Sequence, residues 1–272
     1  DMHPFAKRLL INTVVKRVKK MVPAYSLPQA LSFRDALALG AKKAPTAVAL
    51  SLDDTAVLQY TGGTTGVSKG AQLLQKNLVS NMMQVRELIV NILDTDTEVV
   101  IAPLPLYHIY AFTVSLVMSD MGHELVLIPN PRDIPGFVKE LSRHKFTSFI
   151  GLNTLFVALC NNKDFTELDF SHLKHTLSGG MALTEAAAAT WKKVTACEVQ
   201  EAYGLTETSP AVSFNPYHDI RLGTIGKALP GTQVKVIGAD GSDLGFNQEG
   251  ELCVKGPQVM AGYWQLPEAT AA

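Results

Sequence analysis

Residues 60–71 read YTGGTTGVSKGA: four glycines, three threonines, a serine and one lysine within twelve positions. A flexible linker has such a composition, and so does a loop that holds phosphates. The Walker spacing G-x-x-x-x-G-K-[ST] fails, because Lys69 stands between Ser68 and Gly70. The physics of anion binding survives the failed pattern. Glycines let backbone amides turn toward an anion, the hydroxyls of Thr61, Thr64, Thr65 and Ser68 add donors, and Lys69 adds a point charge. A linker needs neither a strand directly before it nor a lysine at its end.

Two further loops carry groups of the same kind. EAYGLTETSP, residues 201–210, offers the flat ring of Tyr203, close backbone approach at Gly204, the hydroxyl of Thr206, and in Glu207 a carboxylate for a hard cation such as Mg²⁺. Taken alone it also reads as an ordinary turn with a solvated glutamate. SGGMALT, residues 178–184, has a glycine pair that lets a planar group slide against the backbone, or simply turns a strand into a helix. Each loop follows a predicted strand, and open α/β sheets bind ligands beyond the carboxyl ends of their strands, so one site is able to collect all three. Other candidates are weaker. His172 and His175 form HxxH without a third ligand, Asp53–Asp54 and Asp94/Asp96 read as turn or cap residues, and no G-x-S-x-G elbow is present.

The elements that must hold these loops follow from periodicity. TAVLQY reads as a buried strand entering the first loop, and KNLVSNMMQVRELIVNIL as the helix after it. From there strands and helices alternate: TEVVIAPLP, AFTVSLVMSDM, HELVLIP, IPGFVKELSRHK, FTSFIGL, NTLFVALCNN with Asn153 as its cap, LKHTLSGG, TEAAAATWKKVT and CEVQEAYG. This order predicts an α/β fold, a largely parallel sheet flanked by helices, over residues 1–215. After residue 216 the texture changes. TQVKVIG, GELCVKG and the turn cluster GADGSD predict a small antiparallel β subdomain, a partial barrel, over 216–272.

Composition bounds the classes. The chain has 272 residues, 47% hydrophobic and 18% charged, with net charge −1, so no global field draws nucleic acid. Cys160, Cys197 and Cys253 stand far apart and read as reduced core thiols of a cytosolic protein. Residues 99–118 are apolar enough to raise a membrane span, but Pro103 and Pro105 break a single helix, which favours a strand, a proline-rich loop and a core helix. Residues 5–22 predict an amphipathic helix with six lysines and arginines, stopped by Pro23. It reads either as a solvated surface helix or as a peripheral contact with the inner membrane surface.

Together, YTGGTTGVSKGA, LPLYHIYAF, SGGMALT, EAYGLTETSP and GELCVKGPQVMAGYW resemble the adenylate-forming superfamily of acyl-CoA ligases, most closely its bacterial long-chain fatty acyl-CoA ligases. The resemblance covers essentially the whole chain. It implies that a fatty carboxylate attacks the α-phosphate of ATP and that coenzyme A then captures the acyl-adenylate. It implies roles as well. Thr61, Gly62, Gly63, Thr64, Thr65, Gly66 and Lys69 would embrace the β- and γ-phosphates. Gly179, Gly180 and Met181 would line the adenine pocket, with Tyr203 stacked on the base. Thr206 would meet the α-phosphate, and Glu207 would hold Mg²⁺. His108 would sit near the carboxylate, with Gly204 and Leu205 on the substrate side and Phe112 as an aromatic gate to the acyl tunnel. The catalytic set so implied is Thr206, Glu207, His108 and Lys69.

The resemblance also implies parts beyond this chain: an N-terminal portion of the sheet, a ribose-gripping acidic residue in a TGD motif after GYW, a hinge, and a mobile C-terminal domain with a catalytic lysine. The chain alone is then expected to be inactive. Gln75 departs from the histidine of many relatives. Neighbouring readings are a medium-chain or aryl acid-CoA ligase, a ligase loading an acyl carrier protein, and a non-catalytic nucleotide-binding module. The expected partners are fatty acid, ATP and CoA in the cytoplasm, with no nucleic acid. A strand edge left open by missing sheet would allow a homodimer.

Overall fold

A computed structural model of the chain describes residues 4–61, 67–93 and 97–271. These form two compact units that divide between Ala49 and Leu50. In the first, α1 (Phe5–Thr13) runs into a π-helical turn, Val14–Val18, and α2 (Phe33–Gly40) starts at Ser32, whose side chain accepts from the Asp35 N–H at 3.2 Å. Neither helix buries a residue. The first ends well before Pro23, its expected stop. Lys20, at φ 48°, already lies in the left-handed region, which a continuing right-handed helix excludes.

The second unit begins with a hairpin of β1 (Thr55–Tyr60) and β2 (Gly70–Leu74), antiparallel, followed by α3 (Gln75–Ile89). Two expectations change here. β1 is half-exposed rather than buried, and it lies outside the parallel sheet. The glycine-rich loop is therefore a hairpin connection and not a strand-to-helix turn. GAQLL, to which the sequence reading assigned no element, is a strand whose Ala71 and Leu73 are fully buried.

Next come β3 (Val99–Ala102), α4 (Ile109–Asp120), β4 (Glu124–Leu127), α5 (Ile134–Leu141), β5 (Ser148–Gly151), α6 (Asn153–Cys160), the short α7 (Lys163–Thr166), β6 (His175–Ser178), α8 (Glu185–Thr195), β7 (Val199–Gly204) and β8 (Ala211–Phe214). The stretch 99–118 is a strand, a loop and a helix as expected, and no described helix is long and apolar enough to cross a membrane. Finally β9 (Lys227–Ala228), β10 (Gln233–Ile237), β11 (Glu251–Lys255), β12 (Gly262–Tyr263) and α9 (Pro267–Ala271) complete the chain.

The main sheet has seven strands in the order β4-β3-β5-β6-β7-β8-β9. From β4 to β7 every pairing is parallel; β8 and β9 add on antiparallel. The strands after residue 216 are shared among three sheets. β9 extends the main sheet, β10 and β11 make their own hairpin, and β12 pairs with β2.

The pleat divides the side chains of the parallel strands between two faces. Ile101, Phe149 and Val199 face α5, α6 and α8, where Phe137, Phe156, Phe165 and Trp191 complete a cluster of rings. Trp191 sits 5.0 Å from Phe149 and 4.7 Å from Phe156, centroid to centroid, and its Nε1–H donates to Thr176 Oγ1 at 3.1 Å. Val100, Ile150 and Leu177 face the opposite way, toward Val85 and Ile89 of α3 and Val114, Val117 and Met118 of α4. On that second face a hydrogen-bonded row crosses three strands. The Ser148 hydroxyl lies 3.0 Å from His175 Nδ1, and His175 Nε2 lies 3.0 Å from Gln200 Oε1. An amide oxygen only accepts, so Nε2 carries the proton and Nδ1 accepts from Ser148. Burial holds the His175 pKa down at about 4. His175 is thus a satisfied core residue. Among the described residues no group of three or more His, Cys, Asp or Glu is placed to hold a metal. The three cysteines are free, Cys197 buried and the others half-buried.

Candidate functional site

At the carboxyl ends of β6 and β7 two cavities adjoin, about 340 Å³ and about 370 Å³, sharing Gly180, Ala202, Tyr203 and Gly204 as a common wall. The first lies on the α3/α4 face. It is lined from the sheet by Leu177, Gly179 and Ala202, from α4 and its N-terminus by His108, Tyr110, Thr113 and Val114, and from the loop after β7 by Leu205, Thr206 and Glu207. Thr61 reaches it from the hairpin. The second is lined by Met181, Ala182, Leu183, Glu201 and the segment Gly223–Ile225.

Local sequence explains each placement. Gly204 is obligatory where β7 turns against β8, because a Cβ there would lie 2.1 Å from the Pro210 carbonyl oxygen. Gly180 has φ 80°, which a side chain would strain, and nothing stands within 4 Å of where its Cβ would be. Its neighbour behaves differently from the expectation of an open glycine pair. A Cβ on Gly179 would meet the Tyr110 ring at 3.2 Å, so Gly179 makes room for Tyr110, whose hydroxyl donates to the Leu177 carbonyl at 3.2 Å. Thr206 and Glu207 stand in a single 3₁₀ turn, Thr206–Thr208. Thr208 Oγ1 accepts from the Leu205 N–H at 3.0 Å, and the Glu207 carbonyl accepts from the Met260 N–H at 2.8 Å. His108 caps α4, its Nδ1 accepting from the Tyr110 N–H at 3.2 Å, so the neutral ring carries its proton on Nε2.

Lys69 is half-buried. Its carbonyl accepts from the Thr61 N–H at 2.9 Å, and its Nζ stands 4.4 Å from the ring centroid of Tyr263. Tyr263 in turn donates its hydroxyl to Glu207 Oε1 at 2.6 Å. Desolvation, followed by that bond to an anion, pushes the Tyr263 phenol up to about 12. Glu201 Oε1 accepts from the Leu183 N–H at 3.1 Å, while its buried Oε2 has no partner among the described residues. Burial is the main cause that raises its pKa.

The structure thus gathers Thr61, His108, Gly179, Gly180, Tyr203, Gly204, Leu205, Thr206 and Glu207 around one cavity, and Met181 beside it. Phe112 does not line either cavity; it packs with Ala71, Leu73, Leu78 and Ile109. Gly62, Gly63, Thr64, Thr65 and Gly66, and likewise Asp94 and Asp96, lie outside the described residues. Asn153 is not a helix cap. Leu152 holds that position, and Asn153 Oδ1 accepts instead from the Thr184 N–H at 2.9 Å and its hydroxyl at 3.0 Å, pinning the 178–184 loop.

Four polar side chains that sequence reasoning passed over build the site's frame. Asn77, Asn81 and Gln84 recur at spacings of four and three on α3, one face of the helix. Asn77 Nδ2 donates to the carbonyls of Pro257 and Val259, both at 2.8 Å. Asn81 exchanges two bonds with the backbone of Ala211, at 2.9 and 3.0 Å. Gln84 donates to the Pro230 carbonyl at 2.7 Å, and buried Gln258 donates to Thr232 Oγ1 at 2.7 Å. Their spacing was the only available signal, and it also fits a solvated helix face.

Comparison with known proteins places the chain. Residues 4–264 match the family model of the AMP-binding enzymes. The chain is 49% identical to a long-chain-fatty-acid–CoA ligase of Escherichia coli O157:H7 over 99% of its own length and 48% of that protein, and 47% identical to the ligase of that name in Haemophilus influenzae, over 100% and 49%. Among solved structures, ATP-bound MatB from Rhodopseudomonas palustris superposes with a TM-score of 0.73 at 31% identity, covering 84% of this chain and 44% of that one. The N-terminal domain of FACL13 from Mycobacterium tuberculosis gives 0.75 at 26% identity, covering 87% and 59%. The chain spans about half the length of the curated relatives it matches, and it belongs to the AMP-binding enzyme family.

Proposed function

From that membership we propose that the protein containing this chain is an ATP-dependent ligase that joins a long-chain fatty acid to coenzyme A through an acyl-adenylate. The observation that carries the reading is the convergence of Thr61, His108, Tyr203, Thr206 and Glu207 on one cavity at the strand ends. In this reading the adenine lies between Tyr203 and the Gly180–Met181 backbone, and the Thr206 hydroxyl donates to the α-phosphate. Lys69 and the 62–66 loop meet the β- and γ-phosphates. His108 Nε2–H is the donor nearest the fatty carboxylate, and Gly204 and Leu205 border it. Phe112, packed against β2 and α3, acts from behind that wall.

The residues present fit Mg²⁺. Glu207 offers a hard carboxylate oxygen, Oε2, with no protein donor on it among the described residues, and Mg²⁺ is commonly held by one or two carboxylates plus substrate phosphates. When bound, it would neutralise charge on the departing pyrophosphate. The protein's share is positional. Carboxylate and α-phosphorus must be held in line, and donors must be fixed before charge develops. The carboxylate oxygen bonds to phosphorus, the bond to pyrophosphate breaks, and the CoA thiol then displaces AMP from the acyl carbon.

Exposed Phe5, Leu9 and Leu10 beside Lys7 and Arg8 on α1 support a peripheral contact with the inner membrane surface of the cytoplasm, and a homodimer remains the assembly to test. The deciding experiment is fatty-acid-dependent ATP–pyrophosphate exchange by the full-length protein. Exchange with long-chain acids is expected; none with any acid overturns the proposal. A hydroxamate-trap panel of acids separates long-chain from medium-chain and aryl substrates.

A further inference from the structure

We infer that Tyr263 is a positioning residue for this site, holding Glu207 through its hydroxyl and Lys69 through its ring so that the two opposite charges are near each other without pairing. The inference rests on the adenylating reading above and deepens it.

The geometry is specific. β12 pairs with β2, Tyr263 against Ala71, two residues beyond Lys69. The Trp264 N–H donates to the Gly70 carbonyl and the Met260 N–H to the Glu207 carbonyl, each at 2.8 Å. Backbone bonds therefore fix the strand that carries Tyr263 to both motifs before its side chain is considered. The side chain then uses both of its faculties. Its hydroxyl donates to one carboxylate oxygen at 2.6 Å, a charge-assisted bond. Its ring receives the ammonium at 4.4 Å. Among the described residues no ion pair joins Lys69 to Glu207, although both contact Tyr263, one at its ring and the other at its hydroxyl. A direct pair would spend the lysine's donors and the carboxylate's charge on each other. With Tyr263 between them, Glu207 keeps Oε2 for a cation, and Lys69 keeps three N–H donors for phosphate.

The two faculties separate by mutation in the full-length protein. Tyr263→Phe keeps the ring and removes the hydroxyl. Its affinity for Mn²⁺, titrated by electron paramagnetic resonance into the ATP-loaded enzyme, is expected to fall about 10-fold, the size typical for loss of a group that orients a metal ligand. The Mg²⁺ concentration for half-maximal exchange should rise in step, with KM for ATP nearly unchanged. Tyr263→Leu removes the ring as well, and KM for ATP should rise in addition. In a Glu207→Gln background, Tyr263→Phe should add nothing, because the two groups act as one unit. Unchanged Mn²⁺ affinity in Tyr263→Phe overturns the inference, as does additivity with Glu207→Gln. If wild type supports exchange and Glu207→Gln abolishes it while Tyr263→Phe leaves the cation dependence intact, only the role of Tyr263 falls. If wild type supports no exchange, the adenylating reading falls and this inference with it.

Discussion

The two faces of the seven-stranded sheet are built from the same strands and do opposite things. Toward α5, α6 and α8, Phe149 meets Phe137, Phe156 and Trp191, and the space is filled by rings. Toward α3 and α4, Ile150 and Leu177 meet aliphatic side chains at one end, and a cavity opens at the other, where Asn81, His108 and Thr113 replace hydrophobes. Alternate residues of one strand thus serve the core and the site. The filled face resists change because close packing leaves its atoms no alternative arrangement. The open face is held in shape by hydrogen bonds to backbone, which fix loops without filling space.

Damage to the two faces should therefore show in different measurements. Trp191→Ala empties the largest side chain of the ring cluster and orphans its bond to Thr176. It should cost about 4 kcal/mol of stability, read as a lowered urea midpoint. Where the chain stays folded, the geometry at Glu207 should be unaffected. The reverse test is Glu207→Gln in the full-length protein. Exchange should fall by two orders of magnitude or more, about 3 kcal/mol of barrier, while the urea midpoint stays put. Equal losses of stability in both variants would erase the comparison.

The buried row on the cavity side gives a pH-dependent test. Folded His175 has its pKa depressed to about 4 from an ordinary 6.5. Above pH 6.5 both states are neutral and its contribution is complete. Between 6.5 and 4 only the unfolded chain takes up the proton, so stability declines by about 1.4 kcal/mol per pH unit, toward about 3 kcal/mol in all. Urea midpoints measured from pH 7 to 4.5 should fall more steeply in wild type than in His175→Gln. Parallel slopes would show that His175 is not buried neutral.

The smallest expected effect belongs to the frame. Asn81→Ala takes the partner of the Ala211 N–H at a fully buried position and leaves the Ala211 carbonyl only its 3.3 Å bond from Gln258, at a cost of about 2 kcal/mol. Because Ala211 also lines the cavity, KM for ATP should rise while the cluster around Trp191 keeps its amide-exchange protection.

The sheet was legible because parallel strands buried on both faces, such as SFIG and VVIA, are short apolar runs with helices between them. The three loops were legible because glycine, threonine and a lone charge in short order leave a local trace. What escaped notice depends on remote partners. Asn77, Asn81 and Gln84 look like the wet side of α3, since nothing in their neighbourhood announces Pro257, Val259 or Pro230. Tyr263 reads as one more aromatic in a β segment, because Glu207 lies 56 residues away. The second strand of the β1–β2 hairpin leaves no sequence signal for a related reason. GAQLL is too short to show alternation, and its pairing with β12 is visible only once the chain has closed.

That closure has a consequence in time. β2 shares a sheet with β12, and Asn77 reaches Val259 across 182 positions of sequence. Chains emerge from the ribosome N-terminus first, at about 5–20 residues per second. On that scale the β2 edge waits on the order of ten seconds for its last strand while β3 to β7 and their helices are already made. The core behind Trp191 has time to set before Glu207 receives either Met260 or Tyr263. Binding geometry is therefore among the last things this chain acquires as it is synthesised, and a nascent protein stalled short of residue 260 would hold a packed sheet beside an unfinished site.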